Sequence, residues 1–326
     1  MNDFLYFDPE DIYQLDEKNN TVFCNLYSCL RKWNDHIVKN SLQSKTPKIK
    51  NCFDAISHWC NEDMLSKINE ETKIVTHAGD WGIKCSKPHP NHRAYCQYSL
   101  SSADRHGKFL PLDINSIASN FSAWFSTNLD TDIHRKMYPI PVSVNKGDWK
   151  NIDLEELRKI PKEDLCYANF CITSNPRILI AEWVDQQMYI NSYLPKRKPD
   201  SGEDTNLKLP MLQDHRLAMS EYLEALASHS FCIAPIGNGF DTYRTWECIL
   251  LNTVPIVQDT FCNRVFSKIW PMIVVDKYQH TDILRKMSEF TDEHGTDINY
   301  NYELLLKENF EELLERIVYE SDRLRR

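Results

Sequence analysis

Glycine is scarce in this chain, with eight in 326 residues. That scarcity excludes collagen-like and low-complexity architectures. Long apolar runs are also missing. No stretch approaches the roughly 18 residues of a membrane span. The first twenty residues, MNDFLYFDPEDIYQLDEKNN, have no basic segment leading into an apolar one. Neither a signal peptide nor an integral membrane segment is therefore expected. There is no excess of positive charge: 38 Lys and Arg against 47 Asp and Glu leave a net charge of −9. This argues against a nucleic-acid partner, which calls for a basic face. The eleven cysteines are odd in number and follow no repeating frame. Reduced thiols in a soluble, cytoplasmic protein are the expectation.

What is present is a globular composition, 42% apolar and 26% charged, on a chain long enough for two domains. Residues 54–71 have the apolar spacing of an amphipathic helix. Residues 73–77 (KIVTH), 122–127 (SAWFST) and 137–144 (MYPIPVSV) read as strands. Residues 145–164 are polar and turn-rich, a candidate domain junction. Beyond it, patterns alternate. LCYANFCI (165–172) reads as a strand and RILIAEWVDQQMYINSYL (177–194) as a helix. RLAMSEYLEALASH follows as a helix, FCIAP as a strand, TYRTWECILL as a helix, then VPIV and PMIVVD as strands. Such alternation predicts an α/β protein with a parallel sheet. Residues 195–210, charged and bounded by prolines, read as a surface loop. In 303–326, Leu306, Phe310, Leu313, Leu314 and Ile317 give a helix one apolar face.

Against the general scarcity, Gly237 and Gly239 flank Asn238 in FCIAPIGNGFDTYRTWECILLNTVPIV. Glycines at a strand-to-helix turn permit positive φ and close approach of a ligand to the backbone. Asp241 is placed to cap the helix that follows. A helix N-terminus at the carboxyl end of a parallel strand is a site for phosphate. Arg244 and Glu247, three residues apart, share a helix face. The arginine suits phosphate oxygens and the glutamate suits ribose hydroxyls, a pairing fit for a nucleoside diphosphate. The competing reading is a plain turn with Arg244 and Glu247 paired to each other on a solvated face. The dinucleotide fingerprint is not met, because its third glycine is missing.

The block PIGNGFDTYRTWECILLNTVPIV resembles the nucleotide-sugar segment of exostosin-like glycosyltransferases. Gly237, Asn238, Gly239, Asp241, Arg244, Trp246, Glu247 and Pro255 match that pattern. THAGD (76–80), WFSTNLD (124–130), HRKMYPIPVSV (134–144) and NFCITSNPR (169–177) resemble further blocks of the family in the same order, so the resemblance runs from about residue 73 to residue 276. Tyr243 departs from it, standing where the family often has His. The resemblance implies a GT-B fold, with two Rossmann-like domains facing a central cleft. Residues 1–150 would form the acceptor side and 151–300 the donor side, with a C-terminal helix in 301–326 packing back on the first domain. It implies transfer of a sugar from a nucleoside-diphosphate sugar to a glycan or other hydroxyl acceptor, with inversion and without a metal or other cofactor.

Asp80, just past the strand at 73–77, is the first candidate for the base that takes the acceptor proton, and His77 the second. The competing reading has Asp80 capping a turn and His77 in the core. Arg177 is a candidate second cation for the diphosphate, and Asn128 a candidate for orienting an acceptor hydroxyl. Together with Gly237, Asn238, Gly239, Asp241, Arg244 and Glu247 these complete the expected site. Two metal readings stand beside it. Asp130 and Asp132 form an Asp-x-Asp, as in metal-dependent GT-A transferases. Cys85, His89, His92 and Cys96 are zinc-type ligands at spacings that fit no familiar finger. A third alternative is a non-catalytic nucleotide- or phosphate-binding module of the same fold.

Overall fold

The computed structural model describes residues 13–16, 18–25, 69–77, 121–129, 134–144, 149, 151–172, 175–194, 217–237, 239–295 and 297–326. Outside these lie Asp80, Asp130, Asp132, Asn238, Cys85, His89, His92 and Cys96. The 195–210 loop, nearly all of the helix expected at 54–71 and the side chain of His77 also lie outside.

The first sheet contains β1 (Tyr13–Asp16), β2 (Thr21–Asn25), β3 (Lys73–His77), β4 (Ala123–Thr127) and β5 (Met137–Ile140), side by side in chain order. β1 runs antiparallel to β2, and β2 through β5 are parallel. The last four residues of β4 and all of β5 are buried, as expected of parallel strands covered on both faces. Pro139 is tolerated because β5 is an edge strand, where a missing N–H breaks no ladder.

The second sheet is wholly parallel, in the order β10-β9-β8-β6-β7. Its strands are β6 (Asp164–Ala168), β7 (Ile190–Ser192), β8 (His229–Ile233), β9 (Val254–Gln258) and β10 (Ile273–Val275). The helices are α1 (Leu154–Arg158), α2 (Asn175–Val184), α3 (Met219–Ala227), α4 (Tyr243–Leu250), α5 (Phe261–Phe266), α6 (Ile283–His294) and α7 (Phe310–Leu324). Side-chain alternation sorts them into layers. Tyr167 and Cys232 join the cluster that holds α3, α4 and α5. Cys166, Ala168, Phe231 and Ile233 join the one that holds α2 and α6. The arrangement is α/β and compatible with a Rossmann-like fold.

The first of these clusters is continuous with the other sheet. Ile74, Trp124, Phe125 and Met137 belong to it, as do Phe310, Leu313, Leu314 and Ile317 of α7. Just past α7, Arg325 donates to the carbonyls of Arg135 (3.0 Å), His134 (3.2 Å) and Met137 (2.6 Å). Its guanidinium lies over the rings of Tyr138 and Phe261.

Three expected elements differ from the structure. The helix expected over 303–326 begins at Phe310, and Leu306 precedes it with an extended backbone. The helix expected over 177–194 ends at Val184, and β7 follows at Ile190–Ser192. Neither glycine nor proline marks that break, so the apolar pattern ran across it. The junction expected at 145–164 contains α1, with Trp149 and Leu154 buried. Ile152, Leu157 and Ile160 pack against the same cluster, and Asp153 caps the helix by accepting from the Glu156 amide.

Candidate functional site

In the second sheet the strand order reverses between β6 and β8. One connection leaves β6 toward β7, and the chain then crosses back to β8 and continues outward. In doubly wound sheets such a switch point opens a crevice at the carboxyl ends of the strands, where ligands bind. The Gly-Asn-Gly loop leaves β8 at this point.

Neither Gly237 nor Gly239 has positive φ, so left-handed backbone is not why they are glycine. Both are needed for close approach, and side chains of this protein make it. A Cβ on Gly237 would lie 2.6 Å from Arg177 Nη2, and one on Gly239 would collide with the Asn128 carboxamide. Arg177 is buried. Its Nε donates to the Ile236 carbonyl (2.8 Å), Nη1 to that of Cys171 (2.8 Å) and Nη2 to that of Pro235 (3.1 Å). Arg177, expected as a second phosphate cation, is thus engaged by the protein's own carbonyls. It is a clamp that holds the post-β6 and post-β8 loops together.

Asp241, expected to cap α4, is likewise engaged within the protein. The cap residue of α4 is Thr242, and Asp241 is buried beside it. The Asp241 carboxylate accepts the Val142 amide (2.8 Å) and the Trp246 indole N–H (2.8 Å to each oxygen). Burial pushes its pKa up to about 7, against the pull of these donors and of the Thr242 amide. Its own amide donates to Asn128 Oδ1 at 2.8 Å. Asn128 sits just past β4 at φ 54° and is buried. It is therefore packed against the Gly239 loop, and not displayed for an acceptor hydroxyl as expected. Val142 lies just past β5. The carboxyl ends of β4 and β5 in one sheet and of β8 in the other therefore meet around Asp241.

Arg244 and Glu247 do pair, Nη1 to Oε2 at 3.0 Å, but they do not form a solvated face: their side chains are only 17% and 13% exposed. The Tyr222 hydroxyl of α3 donates to the same Oε2 at 2.5 Å, and the guanidinium stacks 4.1 Å from the Tyr222 ring centre. Arg244 Nε is buried with no hydrogen-bond partner. Tyr167, near the end of β6, accepts from the Asn169 carboxamide at 3.0 Å. Burial raises its pKa, while Asn169 and the positive charge of Arg244 pull it down. Tyr222 and Tyr167 left no signal in the sequence, being aromatics inside ordinary apolar patterns. Thr242 Oγ1 and Ser143 Oγ are also buried without partners.

Among the described residues no group of three or more His, Cys, Asp or Glu could hold a metal. No described helix is long and apolar enough to cross a membrane. Cys166, Cys171, Cys232, Cys248 and Cys262 are free thiols. A groove of about 690 Å³ opens elsewhere, between α1 and α3, lined by Ile152, Leu157, Leu223 and Glu224 among others. Its lining residues Ile160 and Ser228 lead into the amino ends of β6 and β8, the edge away from the switch point. Compared with protein-family models and with curated proteins, the chain gives no significant match.

Proposed function

We propose that this chain is an exostosin-like glycosyltransferase of GT-B type. It moves a sugar from a nucleoside-diphosphate sugar to a glycan or other hydroxyl acceptor, with inversion and without a metal. The observation that carries this reading is the meeting of the carboxyl ends of β4, β5 and β8 around the Gly237–Arg244 segment, at the point where the strand order reverses. Parallel sheets bind ligands at that edge, and two such edges face to face offer one place for each substrate of a transfer.

In this reading the acceptor oxygen attacks the anomeric carbon as the bond to the diphosphate breaks, and a base takes the acceptor proton. Asp80 is the proposed base and His77 the second candidate. β3 ends at His77, on the same edge as Asn128, because Thr76 pairs with Ser126 in the adjacent strand. Arg244 and the N-terminus of α4 offset the charge gathering on the departing diphosphate. Glu247 holds Arg244 in place while its carboxylate faces ribose hydroxyls.

A thermal-shift screen tests the reading. It uses uridine, guanosine and adenosine diphosphates, with their xylose, glucuronate, N-acetylglucosamine and galactose conjugates where these exist. A ligand bound only by the native state adds about 2.7 kcal/mol of stability at a hundredfold excess over Kd, and so raises the melting temperature. At least one conjugate is expected to shift the protein and to be consumed when acceptor is supplied in EDTA. No shift from any member, or activity restored only by Mn²⁺, refutes the reading.

A further inference from the structure

Ser143 carries two separate penalties. Its φ is 58°, in the left-handed region that a side-chain-bearing residue other than Asn or Asp rarely adopts. Its hydroxyl is buried without a hydrogen-bond partner, in a residue only 1% exposed. Glycine would relieve both costs and alanine the second. Backbone strain of this kind concentrates at ligand sites, and an unsatisfied buried hydroxyl calls for an explanation of its own.

Its position supplies one. Ser143 follows Val142, whose amide bonds Asp241, and Asp241 precedes Thr242, whose hydroxyl is likewise buried and unpartnered. Two residues further on is the unpartnered Nε of Arg244. The unsatisfied groups thus flank one hydrogen bond between the two sheets. They differ in kind: the guanidinium suits phosphate charge, whereas a serine hydroxyl is neutral and both donates and accepts. Ser143 stands on the first sheet's side of the bridge, across from α4.

We infer that Ser143 is a specificity-determining residue whose hydroxyl bonds a hydroxyl of the transferred sugar, beyond the diphosphate held at Arg244. This rests on the nucleotide-sugar reading above. Since the serine is buried, the sugar reaches it as the Val142–Asp241 bridge parts.

The test is calorimetry on the full chain, with wild type, Ser143→Ala and Ser143→Gly. The probes are the diphosphate and the sugar conjugate that shift the wild type most in the screen. Both variants are expected to bind the conjugate about tenfold more weakly, the worth of one hydrogen bond, and the diphosphate as the wild type does. Ser143→Gly should melt no lower than the wild type, which separates lost contact from lost fold. Unchanged conjugate affinity in both variants overturns the inference and leaves the transferase reading standing. Equal weakening toward diphosphate and conjugate, or a lower melting temperature for Ser143→Gly, overturns it as well. A wild type that binds no member of the panel sinks both.

Discussion

At Gly239 there is no room for a methyl group. The space a Cβ would take is filled by the Asn128 carboxamide, which is held by the Asp241 amide. Gly239→Ala must therefore push two sheet edges apart. We expect a loss of about 1–3 kcal/mol, the usual cost of overpacking a filled site, read as a lower melting temperature. Adding Asn128→Ala should restore part of it, because the truncated side chain vacates the colliding volume. The coupling in that double-mutant cycle should reach about 1 kcal/mol. A Gly239→Ala protein that melts with the wild type would return the glycine to a ligand-approach role.

Among the elements, α3 and α4 end at a shared cation. Lys162 Nζ donates to the carbonyls of Ala227 (2.7 Å) and Leu251 (2.8 Å) and to Thr253 Oγ1 (2.8 Å). Ala227 closes α3 and Leu251 caps α4, so one ammonium meets the negative ends of two helices and their otherwise unpaired carbonyls. Burial lowers its pKa to about 8, a cost these acceptors offset. Lys162→Met keeps the aliphatic stem and removes the donors. We expect a loss of about 3 kcal/mol, in the range for hydrogen bonds from a charged group. Because α4 carries Arg244, the same change should also weaken nucleotide binding. A melting temperature within a degree or so of wild type would show that water replaces the ammonium at no cost.

Asp241 acts at the scale of the whole molecule, because its carboxylate bridges the two sheets. Burial raises its pKa from the ordinary 3.8 to about 7. Between those values the folded state binds the proton more tightly than the unfolded one. The resulting stabilisation is full below about pH 4 and is lost as pH rises through 7. Asp241→Asn cannot titrate. The wild-type melting temperature should therefore fall more steeply than the variant's between pH 5 and 8, whatever the offset between the curves. Parallel curves would show that the donors on Asp241 hold its pKa near its unfolded value.

Periodicity alone was enough for the alternating α/β character, the parallel second sheet and the amphipathic face of α7, because burial of one face leaves a local imprint of period 2 or 3.6. The special status of the Gly237–Glu247 block was equally legible, since two glycines stand out where glycine is rare. The tertiary structure alone decided what those residues touch. Arg177 and Asn128 press on the glycines from 60 and 111 positions away in the chain, and Asp241 reaches Val142 across 99. Tyr222 meets Glu247 from another helix. β7 was hidden because nothing local marks the end of α2, and with it the strand order that creates the switch point. Close approach between distant segments leaves no periodic trace. A glycine looks the same in sequence whether it makes room for a ligand or for the protein's own side chain.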